Sequence, residues 1–279
     1  GCQVVVARRG KVIFQEAYGH TSYTKARKTD NEMLYDVASL TKVVATLQVA
    51  MKLHSEGRFE TYKKVKDYLP SAVGTNKANL VWSEIMTHQA GLKGFIPHFA
   101  YLMEPNGVGY KKGFFSFQKS DNFPIEIKGN LFGHKSLPDT IRKWTMDSPL
   151  RYRRNYYRAY SYLYSDVGFY LLKWGLEHQM GKPLNEYLDA NIYGPLGVAT
   201  MTYLPLEKGI SLNRIAPTEY DTDYRKGLVH GIVHDPGAAL IGGVGGHAGI
   251  FSNANDVAVV MQMNLQDGYY GGRQYFKKG

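Results

Sequence analysis

Two short stretches hold residue types that together could activate a hydroxyl. In Ser39-Leu-Thr-Lys42 the serine and lysine open an apolar helical pattern at a spacing that puts them on one face, so the ammonium can approach the hydroxyl. The helix N-terminus adds unpaired amides and positive potential beside that oxygen. A nucleophilic serine needs just these things: a neighbouring base or cation, and donors for the charge that develops on attack. In Tyr164-Ser-Asp166 a phenol again stands directly before an apolar helix. A tyrosine can shuttle a proton only where cations lower its pKa from about 10, and Lys42 is a cation able to do so. S-x-x-K recurs by chance in unrelated chains and tyrosine occurs 22 times here, so each stretch draws its meaning from the other.

Other chemistry-bearing residues read as structural. His230 and His234 share a helical spacing and Asp235 follows, but the glutamate of a zinc-protease motif and a third ligand are missing, so no metal is expected. Glu219, Asp221 and Asp223 alternate too closely for a glycosidase pair and read as a solvated turn. His88 reads as structural. The net charge of +10 makes an acidic partner worth weighing, and Arg151 to Arg158 interleaves cations with tyrosines. No repeat, zinc spacing or nucleic-acid signature accompanies that stretch, so a solvated cationic face is expected and no nucleic acid. A single cysteine, Cys2, excludes an internal disulfide. No apolar run approaches the ~18 residues of a membrane span, and Val4-Val5-Val6 is too short for a secretory leader.

The elements that must position these groups are legible as patterns. Gln3 to Tyr18 reads as a hairpin turning at Arg9-Gly10. Leu40, Val43, Val44, Leu47 and Met51 predict a mostly buried amphipathic helix stopped by Gly57. Trp82 to Gly91 predicts a short helix closed by glycine, and Gly94 to about Leu137 a long loop-like insertion. Further helices are expected over Ser165 to Met180, Leu184 to Tyr193 and Asn253 to Leu265. The glycine-dense run Ile241 to Ser252 predicts a loop in which backbone packs closely or takes positive φ.

Taken together, order and context resemble the penicillin-binding protein and β-lactamase superfamily of serine hydrolases, in its class C β-lactamase-like branch. Val37 to Lys42, Ile85-Met-Thr-His-Gln-Ala-Gly-Leu92, Tyr164 to Leu172 and Pro195-Leu-Gly197 carry that resemblance over nearly the whole chain. It looks nearest to the domains that some bacteria fuse behind a family 3 glycoside hydrolase. The resemblance implies Ser39 as nucleophile with Lys42 and Tyr164 as its proton-handling partners. Asp166 departs from the family's Tyr-x-Asn, exchanging an amide for a carboxylate that only accepts when ionised, which puts penicillinase activity in doubt. Gly246-His-Ala-Gly249 looks like the family's Lys/His-Thr-Gly motif, and through it His247 and Gly249 join Asp166 as candidate substrate contacts. A helical pattern follows His247, however, as in the family's earlier glycine loop, and that reading places the third motif beyond Gly279.

The expected fold is therefore α+β, β-lactamase/transpeptidase-like and truncated at the C-terminus. An antiparallel sheet region built from residues 1–35 and about 205–279 packs against a mostly helical region, 36–204, that carries the Ser and Tyr motifs. The expected activity is hydrolysis of an ester or amide through an acyl-enzyme, without a cofactor, on a small-molecule or peptidoglycan-like substrate in the periplasm or outside the cell, with a fused glycosidase as an allowed partner. The competing expectation is a non-catalytic domain of the same fold that binds a cell-wall peptide or glycan, or supports a fused glycosidase.

Overall fold

The computed structural model describes residues 1–25, 27–153 and 160–277; positions 154–158 of the cationic stretch lie outside the described residues. In chain order the elements are β1 (Cys2–Arg8), β2 (Lys11–Tyr18), β3 (Tyr35–Asp36), a π-helical turn (Lys42–Thr46) running into α1 (Leu47–Ser55), α2 (Val65–Tyr68), α3 (Trp82–Met86) and α4 (His98–Tyr101). Then come β4 (Phe115–Ser116), β5 (Ile125–Lys128), β6 (Leu131–Gly133), α5 (Leu137–Asp147), α6 (Asp166–Met180) and α7 (Leu184–Leu188) with a second π turn (Asp189–Tyr193) and α8 (Gly194–Leu196). The last part contains β7 (Glu219–Asp221), β8 (Gly227–Val229), α9 (Pro236–Leu240), β9 (Phe251–Ser252), α10 (Ala254–Leu265), β10 (Tyr269–Tyr270) and β11 (Arg273–Gln274). The mixture of helices with antiparallel pairs is the α+β architecture expected.

The hairpin forms as read, with Arg9 at φ 52° and Gly10 at φ 74°, the doubly left-handed turn whose twist matches that of its strands. A bulge between Val6 and Ala7 shifts the register before the turn. Instead of one large sheet, the described strands form five small antiparallel sheets: β1-β2, β3-β9, β4-β6-β5, β7-β8 and β10-β11. Gly94 to Leu137 also differs from the expected loop, since it contains α4 and the three-stranded sheet. Two- to four-residue strands are too short to show period 2, which is why the sequence pattern misses them.

The first helix exists, but its buried stripe is rotated from the one the apolar spacing selected. Val44, Ala45, Val49, Ala50 and Leu53 are buried while Leu40 and Val43 are exposed. The wider π turn at Lys42–Thr46 changes the residues per turn, so a 3.6 period counted across it selects the wrong ridge. Against this stripe pack Phe59, Trp82, Leu171 and Leu172 in one continuous core. α6 runs through its centre, buried from Val167 to Leu176. Ser165 caps its N-terminus by accepting from the Gly168 amide, and Gly181 in the left-handed region ends it.

Candidate functional site

Ser39 sits in the turn between β3 and the π segment, and that turn is pinned from both sides. Ala38 takes φ 47°, a costly value for a residue with a Cβ. The Asp36 carboxylate holds it there, one oxygen accepting from the Ala38 amide at 2.8 Å and the other from the His234 amide at 2.7 Å. Val37 donates to the Ile250 carbonyl at 3.0 Å, and the Ile250 amide donates to Thr41 Oγ1 at 3.1 Å. The nucleophile turn is thereby stitched to the glycine-dense loop. Burial raises the Asp36 pKa, more than the His234 and Ala38 amides lower it.

Lys42 is the hub. Its side chain is buried, the residue 4% exposed, and Nζ meets Ser39 Oγ at 2.9 Å, Asp166 Oδ1 at 2.6 Å and the His247 carbonyl at 3.1 Å. The contacts to Ser39 and His247 are hydrogen bonds donated by the ammonium, and the one to Asp166 is an ion pair. Nζ also lies 4.9 Å from the Tyr164 ring centroid and 5.5 Å from that of Phe169. Asp166 supplies the counter-charge from the first turn of α6, where the helix N-terminus favours an anion. Ser39, exposed at the end of this chain of contacts, accepts from Lys42 and keeps its own proton free to leave toward another base.

Tyr164 is 43% exposed and borders this cluster. His88 sets its position: the two rings lie 4.6 Å apart, the Ser165 amide donates to His88 Nδ1 at 3.1 Å, and the Leu163 amide donates to the His88 carbonyl at 3.0 Å. An Nδ1 that accepts makes His88 the neutral tautomer. Burial, and then the Lys42 charge, lower its pKa, with Asp166 opposing.

The structure brings Ser39, Lys42, Tyr164 and Asp166 together, and His247 with them, but through its backbone. The His247 side chain is 2% exposed, and its Nε2 pairs with Asp235 Oδ1 at 2.8 Å instead of facing a substrate cleft. Gly249 has φ 124°, and a Cβ there would stand 2.4 Å from the Gly243 carbonyl oxygen, so close backbone packing requires glycine. Asp235 is the residue that sequence reasoning missed. Asp-Pro before a short apolar run signals a helix start, and Asp235 does cap α9 by accepting from the Ala238 amide at 2.7 Å, but nothing local announces a contact with His247.

The remaining candidates serve separate ends. His230 Nε2 lies 2.8 Å from the Ile215 carbonyl, whereas His234 Nε2 pairs with Glu219. Asp221 accepts from the amides of Asp223, Tyr224 and Arg225. Burial would raise its pKa, but those three amides outweigh it and the net direction is downward. Among the described residues no helix is long and apolar enough to cross a membrane.

With that geometry in place, comparison with known proteins is informative. The chain is 29% identical over 97% of its length to the N-acetylmuramyl-L-alanine amidase of Bacillus subtilis (strain 168), of which it spans 60%. Among solved structures, EstCE1, a hydrolase with promiscuous acyltransferase activity, superposes with TM-score 0.66 at 18% identity, over 99% of this chain and 69% of that one. The β-lactamase/D-alanine carboxypeptidase of Pseudomonas syringae gives 0.63 at 17% identity, over 96% and 61%. Likeness at that identity establishes the β-lactamase/transpeptidase-like fold. The family model described as Beta-lactamase matches residues 1–277, and the chain belongs to that family of hydrolases.

Proposed function

We propose that the protein is a serine hydrolase that cleaves an ester or amide through an acyl-enzyme. The observation that carries this reading is the three-fold coordination of the Lys42 ammonium, one arm of which is Ser39 Oγ. Lys42, paired with Asp166 and donating to Ser39 Oγ, acts as the fixed cation, and Tyr164 Oη takes the hydroxyl proton. Ser39 Oγ then bonds to the acyl carbon while the carbonyl electron pair moves onto oxygen, with the Ser39 amide as one oxyanion donor. Collapse of the adduct breaks the bond to the leaving alcohol or amine, which carries off the proton held by Tyr164. Water repeats the sequence and frees Ser39.

The amidase relative supports a peptidoglycan-like substrate and hence action in the periplasm or outside the cell. Asp166 disfavours penicillins, because an ionised carboxylate cannot donate to the carbonyl of a substrate amide. The test is phosphonylation by a fluorophosphonate, in which serine oxygen bonds to phosphorus and fluoride leaves, read by intact mass. One adduct per chain that vanishes in Ser39→Ala is expected; an adduct that survives Ser39→Ala overturns the assignment.

The same Lys42–Asp166 pair gives a specific ground for the second reading, a domain that binds a cell-wall peptide or glycan without turnover, since it sets a carboxylate where the resembled Tyr-x-Asn motif carries an amide. Peptidoglycan-fragment binding unchanged by Ser39→Ala, together with no adduct on the wild type, would decide for it.

A further inference from the structure

The loop 245–247 is threaded between two helices, and three successive carbonyls each meet a donor from a different side. Tyr203 Oη donates to the Gly245 carbonyl at 2.7 Å, Thr46 Oγ1 to that of Gly246 at 2.6 Å and Lys42 Nζ to that of His247 at 3.1 Å. Gly246 must be glycine, because a Cβ there would stand 2.2 Å from the Phe169 carbonyl oxygen in α6. The side chain of His247 anchors the far end of the loop. Its ring stacks on Tyr170 at 4.3 Å and 28°, and its Nε2 meets Asp235 at 2.8 Å. Tyr170 lies one helical turn beyond Asp166, so α6 grips Lys42 with one residue and the His247 ring with the next on the same face. Gly237 leaves room for the Tyr170 hydroxyl, which a Cβ would overlap.

We propose that the buried Asp235–His247 pair is the positioning device for Lys42: by fixing the imidazole it fixes the carbonyl that accepts from the ammonium, and so aims Nζ at Ser39. This rests on the serine-hydrolase reading above and assigns both residues a role in rate, not in substrate contact. A buried carboxylate–imidazole contact is poor evidence for stability by itself, since desolvation of the carboxylate offsets much of the gain, so a positional role explains its retention better. The Asp235 carboxylate is held ionised although burial alone would raise its pKa, because His247, the Ala238 amide and Arg225 outweigh that cost. The charged or titratable groups around the pair are Arg225, His98, Tyr170, Lys42 and Asp166.

The experiment compares wild type, Asp235→Asn and His247→Gln in ester hydrolysis and in phosphonylation by a fluorophosphonate. Asp235→Asn keeps an N-cap acceptor for α9, so it retains the fold where larger changes would not. The expected result is a kcat lower by ~10- to 100-fold, the scale of a displacement of about 1 Å, with KM within about twofold of wild type. The double variant is no slower than the worse single one, as for residues that act as a unit. Variants that melt like wild type, keep its kcat and react with the fluorophosphonate at its rate would overturn the proposal while leaving Ser39 in place. A wild type that forms no adduct at Ser39 overturns the catalytic reading itself and the positional one with it.

Discussion

Lys42 concentrates the electrostatics of the site, and substitutions around it separate its roles. In Lys42→Ala the Asp166 carboxylate, whose side chain is 22% exposed, is left without its cation. Breaking a mostly buried pair costs about 3 kcal/mol, so a lower unfolding midpoint in urea is expected alongside loss of Ser39 acylation. Asp166→Asn strips the counter-charge from the more deeply buried partner, the Lys42 ammonium, whose side chain is 5% exposed. The expected outcome is again a lower unfolding midpoint in urea, with slower ester hydrolysis. These four residues were legible in the sequence because each motif is local and opens a helix, so spacing translates directly into geometry. The role of His247 was not, since its contribution to Lys42 is a main-chain carbonyl, to which side-chain identity is blind.

At the level of elements, the glycine-dense loop converts sequence composition into distance. Gly246→Ala should cost about 1–3 kcal/mol, because the added methyl meets the Phe169 carbonyl of α6 and Lys173 Cβ at 2.9 Å, neither of which can move without shifting the helix. Thermal unfolding measures that cost, and the acylation rate should fall with it as the His247 carbonyl is pushed from Lys42. The hairpin, α6 and α10 were readable because each has a long regular pattern and a cap or turn residue at its end. The strands β4 to β6 and the rotated stripe of the first helix were not. The former are too short for alternation to register, and the latter depends on one π turn whose wider winding leaves no compositional trace.

Over the whole molecule, acid lability should follow from its buried imidazoles and carboxylates. His98 is 1% exposed, sits between Trp144 and Tyr170, and burial pushes its pKa down to about 4, with His247 adding to the shift and Asp235 opposing it. The unfolded chain takes up a proton near pH 6.5 that the native state refuses, so stability is full above that pH and falls as pH drops toward about 4. Asp235, with its carboxyl depressed, adds stability that is present above the unfolded carboxylate range and is lost as pH falls below it. Urea unfolding midpoints should therefore decline in two stages, and His98→Leu should flatten the one between about pH 6.5 and 4.

Three consecutive carbonyls answering to Tyr203, Thr46 and Lys42 make the loop behave as a ruler with fixed graduations. Its length is then under tighter constraint than its composition. Inserting or deleting a single residue between Gly243 and Ile250 would leave each donor opposite its neighbour's carbonyl, and Lys42 would be offered an oxygen whose attached side chain has no link to Asp235. Sequence drift within the loop can be absorbed wherever no Cβ collides, whereas a change of count would desynchronise the lysine from the serine it serves.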